Sequence, residues 1–153
     1  MLQRPGVDSF RFAQAAQIWR GGAAVGDFPR LAEALPESSG PLTYQVRGFT
    51  DADRRPGLEL EVETTVTLVC QRCLEPMPVR LKARRVLYLA RTEDEAERLE
   101  QQMDQISGAE ALVAPGLLDL ATLVEDEVLL GLPLIPRHDE GQCPAGAPVN
   151  DLN

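Results

Sequence analysis

The chain has 153 residues, of which 44% are hydrophobic and 25% are charged. These fractions are ordinary for a globular protein and argue against wholesale disorder, and the length suits one domain. No apolar run approaches the ~18–20 residues that cross a bilayer, and the first residues lead into no apolar segment of a secretory signal. We therefore expect a cytoplasmic protein with no membrane partner. It should form a single domain over residues 1–143, followed by a flexible tail over residues 144–153.

The net charge of −9 is unevenly distributed along the chain. Residues 47–91 carry nine basic and six acidic side chains, whereas residues 92–140 carry two basic and thirteen acidic side chains. The overall charge argues against a protein that coats nucleic acid. The middle segment remains a candidate for phosphate contacts, because all but one of the basic residues in the chain are arginine.

Short elements are predicted in the first third of the chain. Asp8 or Ser9 could cap a helix over residues 10–17, and residues 18–20 could form a short strand. A second helix is expected to begin at the cap Asp27 and to end before Pro36. Residues 41–50 alternate in part and predict a strand, which a turn over residues 51–57 follows.

The clearest pattern is an alternation over residues 58–70, which predicts a long strand with one buried face. That face carries Leu58, Leu60, Val62, Val66, Leu68 and Cys70. A second strand over residues 79–89 should pair with it as an antiparallel hairpin. Its alternation breaks at Arg84 and Arg85, where we predict a β-bulge.

The second half predicts two helices with a short strand between them. A largely polar helix over residues 92–107, capped by Thr92, should be solvated or loosely held, and residues 111–113 could form a strand. Asp119 is the expected N-cap of an amphipathic helix that Gly131 and Pro133 end. The fold class is therefore α+β, with an antiparallel β-sheet or partial barrel built on the long hairpin 58–70/79–89 and flanked by helices.

Cys70 and Cys73 form a Cys-x-x-Cys pair at the tip of this hairpin. Such a pair can chelate one Zn²⁺, and the only histidine, His138, and the third cysteine, Cys143, could complete a Cys₃His site. The alternative is that the cysteines are small buried side chains and that His138 is a surface residue. A redox role is less favoured, because no helix is predicted to begin at the pair and lower the pKa of a thiol.

A basic row is expected to form the contact surface for RNA or for a partner. It comprises Arg72, Arg80, Lys82, Arg84 and Arg85. The competing interpretation pairs these side chains with Glu59, Glu61 and Glu63 across the hairpin. With seven aromatic residues in the chain, a platform for stacking bases is not supported.

No enzyme is predicted from the residues. Glu125, Asp126 and Glu127 could bind a metal or act in acid–base catalysis, but a solvated helix face is the favoured interpretation. There is no glycine-rich phosphate loop after a strand, and a single histidine offers no convincing triad. A small-molecule substrate is therefore not expected.

Two sequence blocks resemble the signature of the YceD family. The first runs from Val69 to Met77 (VCQRCLEPM), and the second runs from Asp119 to Asp139 and is followed by Cys143. The stretch from the first block to Cys143 spans about half of the chain, and the blocks follow the family's order and spacing. Some relatives carry a second Cys-x-x-Cys near the C-terminus, and here His138 and Cys143 stand in its place.

The resemblance implies a cytoplasmic, non-enzymatic ribosome-biogenesis factor that supports the synthesis, processing or stability of 23S rRNA. Its partner would be 23S rRNA or the nascent large ribosomal subunit, reached directly or through a protein. The alternative is an acidic adaptor that recruits a ribosomal protein or a nuclease without contacting RNA. A third hypothesis, a redox or metal-handling protein, depends on Cys70 and Cys73 alone.

Overall fold

The computed structural model describes residues 6–37, 40–103 and 109–143. The strands are β1 (Gly6–Val7), β2 (Ile18–Ala24), β3 (Pro41–Thr50), β4 (Pro56–Val69), β5 (Pro76–Ala90), β6 (Ala109–Val113) and β7 (Leu118–Asp119). The helices are α1 (Ser9–Gln14), α2 (Pro29–Ala34), α3 (Glu93–Met103) and α4 (Leu120–Gly131), with a 3₁₀ turn at Val25–Asp27. Within the described ranges, none of these helices has the length and apolar character needed to span a membrane.

A five-stranded sheet forms the centre of the molecule, with the strand order β2-β3-β4-β5-β6. The neighbours from β2 to β5 pair antiparallel, whereas β6 lies parallel to β5 after the crossover through α3. The two short strands β1 and β7 pair separately. The predicted α+β class and the long hairpin are confirmed, and the described strands form an open sheet rather than a closed barrel.

One face of the sheet, here called the inner face, carries the main hydrophobic core. Leu58, Leu60, Val62, Val66 and Leu68 are buried there, as the alternation predicted. Helices α1, α2 and α4 cover this face, and Phe12, Leu31, Val124 and Val128 join the same core. Thr64 is a buried polar residue in the same row, and its hydroxyl group donates a hydrogen bond to the carbonyl oxygen of Pro41 at 2.6 Å.

The bulge predicted near Arg85 is wrong. Strands β4 and β5 stay in one continuous register from Gly57↔Tyr88 to Val69↔Pro76, so Arg85 lies opposite Leu60 on the inner face. The apparent break in the alternation has another cause. Arg85 occupies an inner position, where it pairs with the carboxylate of Glu127 on α4, Nε to Oε2 at 2.5 Å. The apolar residues that follow it are buried on both faces of the sheet.

Helix α3 covers part of the opposite, outer face, which is why β5 becomes apolar on both sides near its end. Tyr88 and Ala90 pack there with Ala96, Leu99 and Met103 of α3. Most positions of α3 are exposed, as expected of a solvated helix, but three side chains pack its other side against the sheet. Thr92 does cap it, accepting from the backbone N–H of Glu95 at 3.2 Å, and residues 104–107 of the predicted helix lie outside the described residues.

Three helix caps are local, that of α3 by Thr92 among them, and one is long-range. Asp8 and Asp119 cap α1 and α4 as predicted. Asp27 does not cap α2, because its carboxylate accepts from the backbone N–H of Ala24 instead. The N–H groups of Arg30 and Leu31, the second and third residues of α2, donate to the buried carboxylate of Glu125, which belongs to α4. Helix α4 thus supplies the cap that the sequence around α2 lacks.

Candidate functional site

The tip of the β4–β5 hairpin brings together the four side chains that the sequence singled out as metal ligands. The three Sγ atoms and one ring nitrogen of Cys70, Cys73, His138 and Cys143 all lie within 4.8 Å of one another. Cys70 and Cys73 are fully buried, whereas His138 and Cys143 are half-buried. All three cysteines are free thiols. A Cys₃His group is therefore present in one place, and its composition suits a metal ion.

The turn that carries the first two cysteines is held by backbone hydrogen bonds. The N–H of Leu74 donates to the Cys70 carbonyl at 2.8 Å, and the N–H of Cys70 donates to the Glu75 carbonyl at 3.0 Å. Leu74 takes a positive φ of 63°, which reverses the chain directly after Cys73. Both thiols of the pair consequently point into the protein.

The segment after α4 returns to this turn and delivers the other two side chains. Its anchor is a hydrogen bond from the Gln71 N–H to the Pro136 carbonyl at 2.8 Å. Two residues later, the N–H of His138 donates to the Cys70 Sγ at 3.4 Å. The His138 Nδ1 lies 3.4 Å from the Cys73 Sγ. Because the backbone itself joins the two segments, their proximity does not depend on the side chains alone.

The pKa values of two thiols in the cluster are strongly shifted, in opposite directions. Burial by itself raises the pKa of the Cys70 thiol, but hydrogen bonds from backbone N–H groups outweigh it and lower the pKa to about 5; the donors are Cys73, His138 and Arg72. Burial and the neighbouring thiols of Cys73 and Cys70 raise the pKa of Cys143 to about 11. The two shifts therefore favour the thiolate at Cys70 and the protonated thiol at Cys143.

The basic row does not lie on a single face. Arg80, Lys82 and Arg84 occupy every second position of β5 and lie on its outer face. Arg85 is on the inner face and also pairs with Glu110 of β6. Arg72 lies in the turn at the hairpin tip, where its N–H donates to the Cys70 Sγ. The contact role given to these five residues remains a prediction.

Ion pairs across the hairpin occupy two members of the row. Arg80 pairs with Glu63, and Arg84 pairs with Glu59 at 2.5 Å. Arg47 of β3 adds a third cation to this set, at 3.3 Å from Glu59. The charges of Arg80 and Arg84 are thus largely balanced by the protein's own carboxylates.

A shallow depression of about 710 Å³ lies on the uncovered part of the outer face. Lys82 and Arg84 line it from β5, and Arg20 lines it from β2. Among the ion pairs found in the described part of the chain, none includes Arg20 or Lys82. Sequence reasoning missed Arg20, because nothing in the residues around it indicated that β2 lies next to β3 in the sheet.

The predicted acidic cluster on α4 is neither a metal site nor a solvated face. Glu125 and Glu127 are buried. The carboxylate of Glu125 accepts from the backbone and side chain of Arg30, and that of Glu127 accepts from Arg85. Only Asp126 is well exposed, and it also contacts Arg30. The favoured interpretation of a solvated helix face was therefore wrong for two of the three residues.

Comparisons with known proteins identify the family of this chain. Residues 58–151 match the family described as "Large ribosomal RNA subunit accumulation protein YceD". That range begins in β4 and includes all four residues of the Cys₃His group. A curated protein of the same name from Haemophilus influenzae is 29% identical over 141 residues, which cover 92% of this chain and 79% of the relative. No solved structure matches the chain. With more than half of its residues matched to the family, the chain belongs to the YceD family.

Proposed function

We propose that this protein promotes the accumulation of 23S rRNA in the cytoplasm by binding the RNA or the nascent large ribosomal subunit. The observation that carries the proposal is the family match over residues 58–151, together with the H. influenzae relative that bears the same name. We infer that the protein acts by binding and catalyses no reaction. In the described part of the chain, the groups best suited to acid–base chemistry already have structural partners.

The RNA-contacting surface that we propose is the uncovered outer face with the adjacent hairpin tip. Lys82 and Arg20 line the depression and are in no ion pair of the described residues, which leaves them the cations most available to phosphates. Glu61 and Glu63 also line it, and the charge of Lys82 acts on Glu63 opposite it, so a phosphate would compete with these carboxylates. Arg72 extends this surface at the tip. Arg80 and Arg84 would first have to leave Glu63 and Glu59, which weakens their contribution. Phosphate contacts of this kind give affinity without sequence specificity.

Depletion tests the function, and charge reversal tests the surface. Loss of the protein should lower the ratio of 23S to 16S rRNA, and the wild-type gene should restore it. A double variant, Arg20→Glu with Lys82→Glu, should fail to restore the ratio. Arg11→Glu is a matched control, because Arg11 is 87% exposed on α1, a helix that covers the inner face. An unchanged ratio after clean deletion would refute the proposed function.

Direct RNA contact makes a separate prediction about salt. Binding to 23S rRNA fragments should weaken steeply with salt, and the slope should fall by roughly one unit for each phosphate contact that a variant loses. Equal slopes for the wild type and the Arg20→Glu/Lys82→Glu variant would place the contact elsewhere. The stability of both proteins must match for this comparison to be valid.

A second candidate function is that of an adaptor that binds a basic protein and never touches RNA. It is favoured by the acidic segment 92–140, including the exposed Glu93 and Asp94 at the start of α3, and by the ion pairs that balance Arg80 and Arg84. A basic ribosomal protein or a nuclease would be drawn to such a surface. Recovery of partners from a lysate before and after nuclease treatment separates the two functions. Partners that survive nuclease treatment favour the adaptor.

A further inference from the structure

The Cys₃His group at the hairpin tip is not explained by the proposed function. We propose that Cys70, Cys73, His138 and Cys143 bind one Zn²⁺ ion in a closed tetrahedral site that fastens the segment after α4 to the β4–β5 hairpin. The proposal stands apart from the rRNA function, since a zinc site could be absent from a protein that still promotes rRNA accumulation.

The distances within the group fit a single ion. With Zn–S bonds of about 2.3 Å and Zn–N bonds of about 2.0 to 2.1 Å, tetrahedral angles place two sulfurs about 3.8 Å apart and a sulfur and a nitrogen about 3.6 Å apart. The Cys73 Sγ and the His138 Nδ1 are already 3.4 Å apart. The widest separation of ligand atoms, 4.8 Å, requires a contraction of roughly 1 Å, which rotation of the half-buried side chains can supply.

The protein prepares the site before any ion binds. The Cys70 Sγ accepts two backbone N–H groups, from Arg72 and from His138, each at 3.4 Å. Such hydrogen bonds orient a sulfur ligand and stabilise its negative charge. The hydrogen bond from Gln71 to Pro136 holds the second segment where His138 can reach the two cysteines of the turn. Cysteines that were buried only as small apolar side chains would need neither a histidine beside them nor a backbone hydrogen bond between the two segments.

The chemistry of the ligands selects zinc among the common divalent ions. Thiolate and imidazole ligands suit Zn²⁺, whereas Mg²⁺ and Ca²⁺ take oxygen ligands. Four protein ligands leave no open position, which is the arrangement of structural rather than catalytic zinc sites. The positive ion would also remove the cost of placing several thiolates together, because a coordinating thiol is deprotonated outright.

The consequence is local. A bound ion links residues 70 and 73 to residues 138 and 143, so its loss should release the segment 132–143 while the sheet and its core persist. Hydrogen exchange measures this directly. Chelation should speed exchange of the Gln71 and His138 amides, leave the centre of β4 protected, and be reversed by added zinc.

Metal content is the first test. The full chain is purified under reducing conditions with a tag that binds no metal, and about one zinc per chain is expected. Cobalt(II) added to the metal-free protein should give the visible absorption of tetrahedral cobalt and a thiolate-to-cobalt charge-transfer band. Cys73→Ser and Cys143→Ser should lose stoichiometric zinc. Glu140→Gln, an exposed acidic neighbour of the site, is the matched control and should keep it.

The wild type decides the question if the cysteine variants fail to fold. Less than about a tenth of an equivalent of zinc in the reduced wild type, both as purified and after incubation with zinc, would overturn the proposal. So would cobalt spectra of octahedral form, because they would place the ion on oxygen ligands elsewhere.

Discussion

Glu125 offers a sharp test of how α4 stabilises the rest of the fold. Its carboxylate is 2% exposed and accepts three hydrogen bonds: from the Arg30 N–H at 2.8 Å, from the Leu31 N–H at 3.3 Å and from the Arg30 Nε at 2.9 Å. Glu125→Gln keeps the shape of the side chain but replaces one acceptor oxygen with an NH₂ group. Either the two backbone N–H groups or the Arg30 Nε must then face the NH₂ group, which is itself a donor.

The expected cost follows from what that oxygen does. A hydrogen bond to a charged group contributes about 1.5–3 kcal/mol, and a buried donor left without an acceptor adds to the loss. Glu125→Gln should therefore lower the free energy of unfolding by about 2–3 kcal/mol, or the melting temperature by roughly 4–12 °C in a chain of this size. Urea denaturation followed by circular dichroism measures this loss, and an unchanged m-value would show that the unfolded state is unaffected.

Asp126→Asn provides the matched control. Asp126 is adjacent, has the same charge and contacts the same arginine at 2.7 Å, but its side chain is 46% exposed. An exposed ion pair contributes less than about 1 kcal/mol, so this variant should be nearly as stable as the wild type. Equal losses in the two variants would refute the reasoning, because burial and the capping of α2 would then be irrelevant.

Three further outcomes are expected. Leu60→Ala, in the inner row of β4, should cost about 2–5 kcal/mol of unfolding free energy, while Thr65→Ala on the exposed side should cost far less; equal thermal stabilities would contradict the register. Partial burial opposes ionisation of Glu59, but Arg84 and Arg47 more than offset this and hold the pKa of that carboxyl below its usual value. Its stabilising contribution is therefore complete above the unfolded pKa of about 4.3 and is lost as the pH falls through the lower, folded pKa, so Glu59→Gln should flatten the acid limb of a stability–pH curve. Gly48→Ala should lower the melting temperature, because a Cβ there would lie 2.4 Å from the Phe12 carbonyl oxygen; an unchanged melting temperature would mean that α1 shifts freely.

The parts of the fold that local sequence determines were predicted well. The alternation in β4 reports burial on one face residue by residue, and Asp8 and Asp119 cap helices that begin within three residues of them. The proximity of the four residues of the Cys₃His group was also predicted, because the chain has only three cysteines and one histidine, while zinc binding stays a prediction.

What sequence reasoning missed depends on contacts between distant segments. The cap of α2 comes from Glu125, 95 residues beyond Arg30. Arg85 looked like a break in a pattern because its partner Glu127 lies 42 residues away. The parallel pairing of β6 with β5 likewise depends on where α3 packs. None of these contacts leaves a periodic signal in the sequence.

The backbone hydrogen bond between Gln71 and Pro136 joins two segments that are far apart in the sequence, which matters while the chain is being synthesised. Ribosomes add about 5–20 residues per second, so the 70 positions between Cys73 and Cys143 take roughly 4–14 s to synthesise. For most of that interval, Cys70 and Cys73 have been made whereas His138 and Cys143 have not. The junction of the two segments is therefore among the last parts of the described domain to close. During synthesis, the newly made Cys-x-x-Cys turn is open to oxidants and to metal ions that the finished fold would shield.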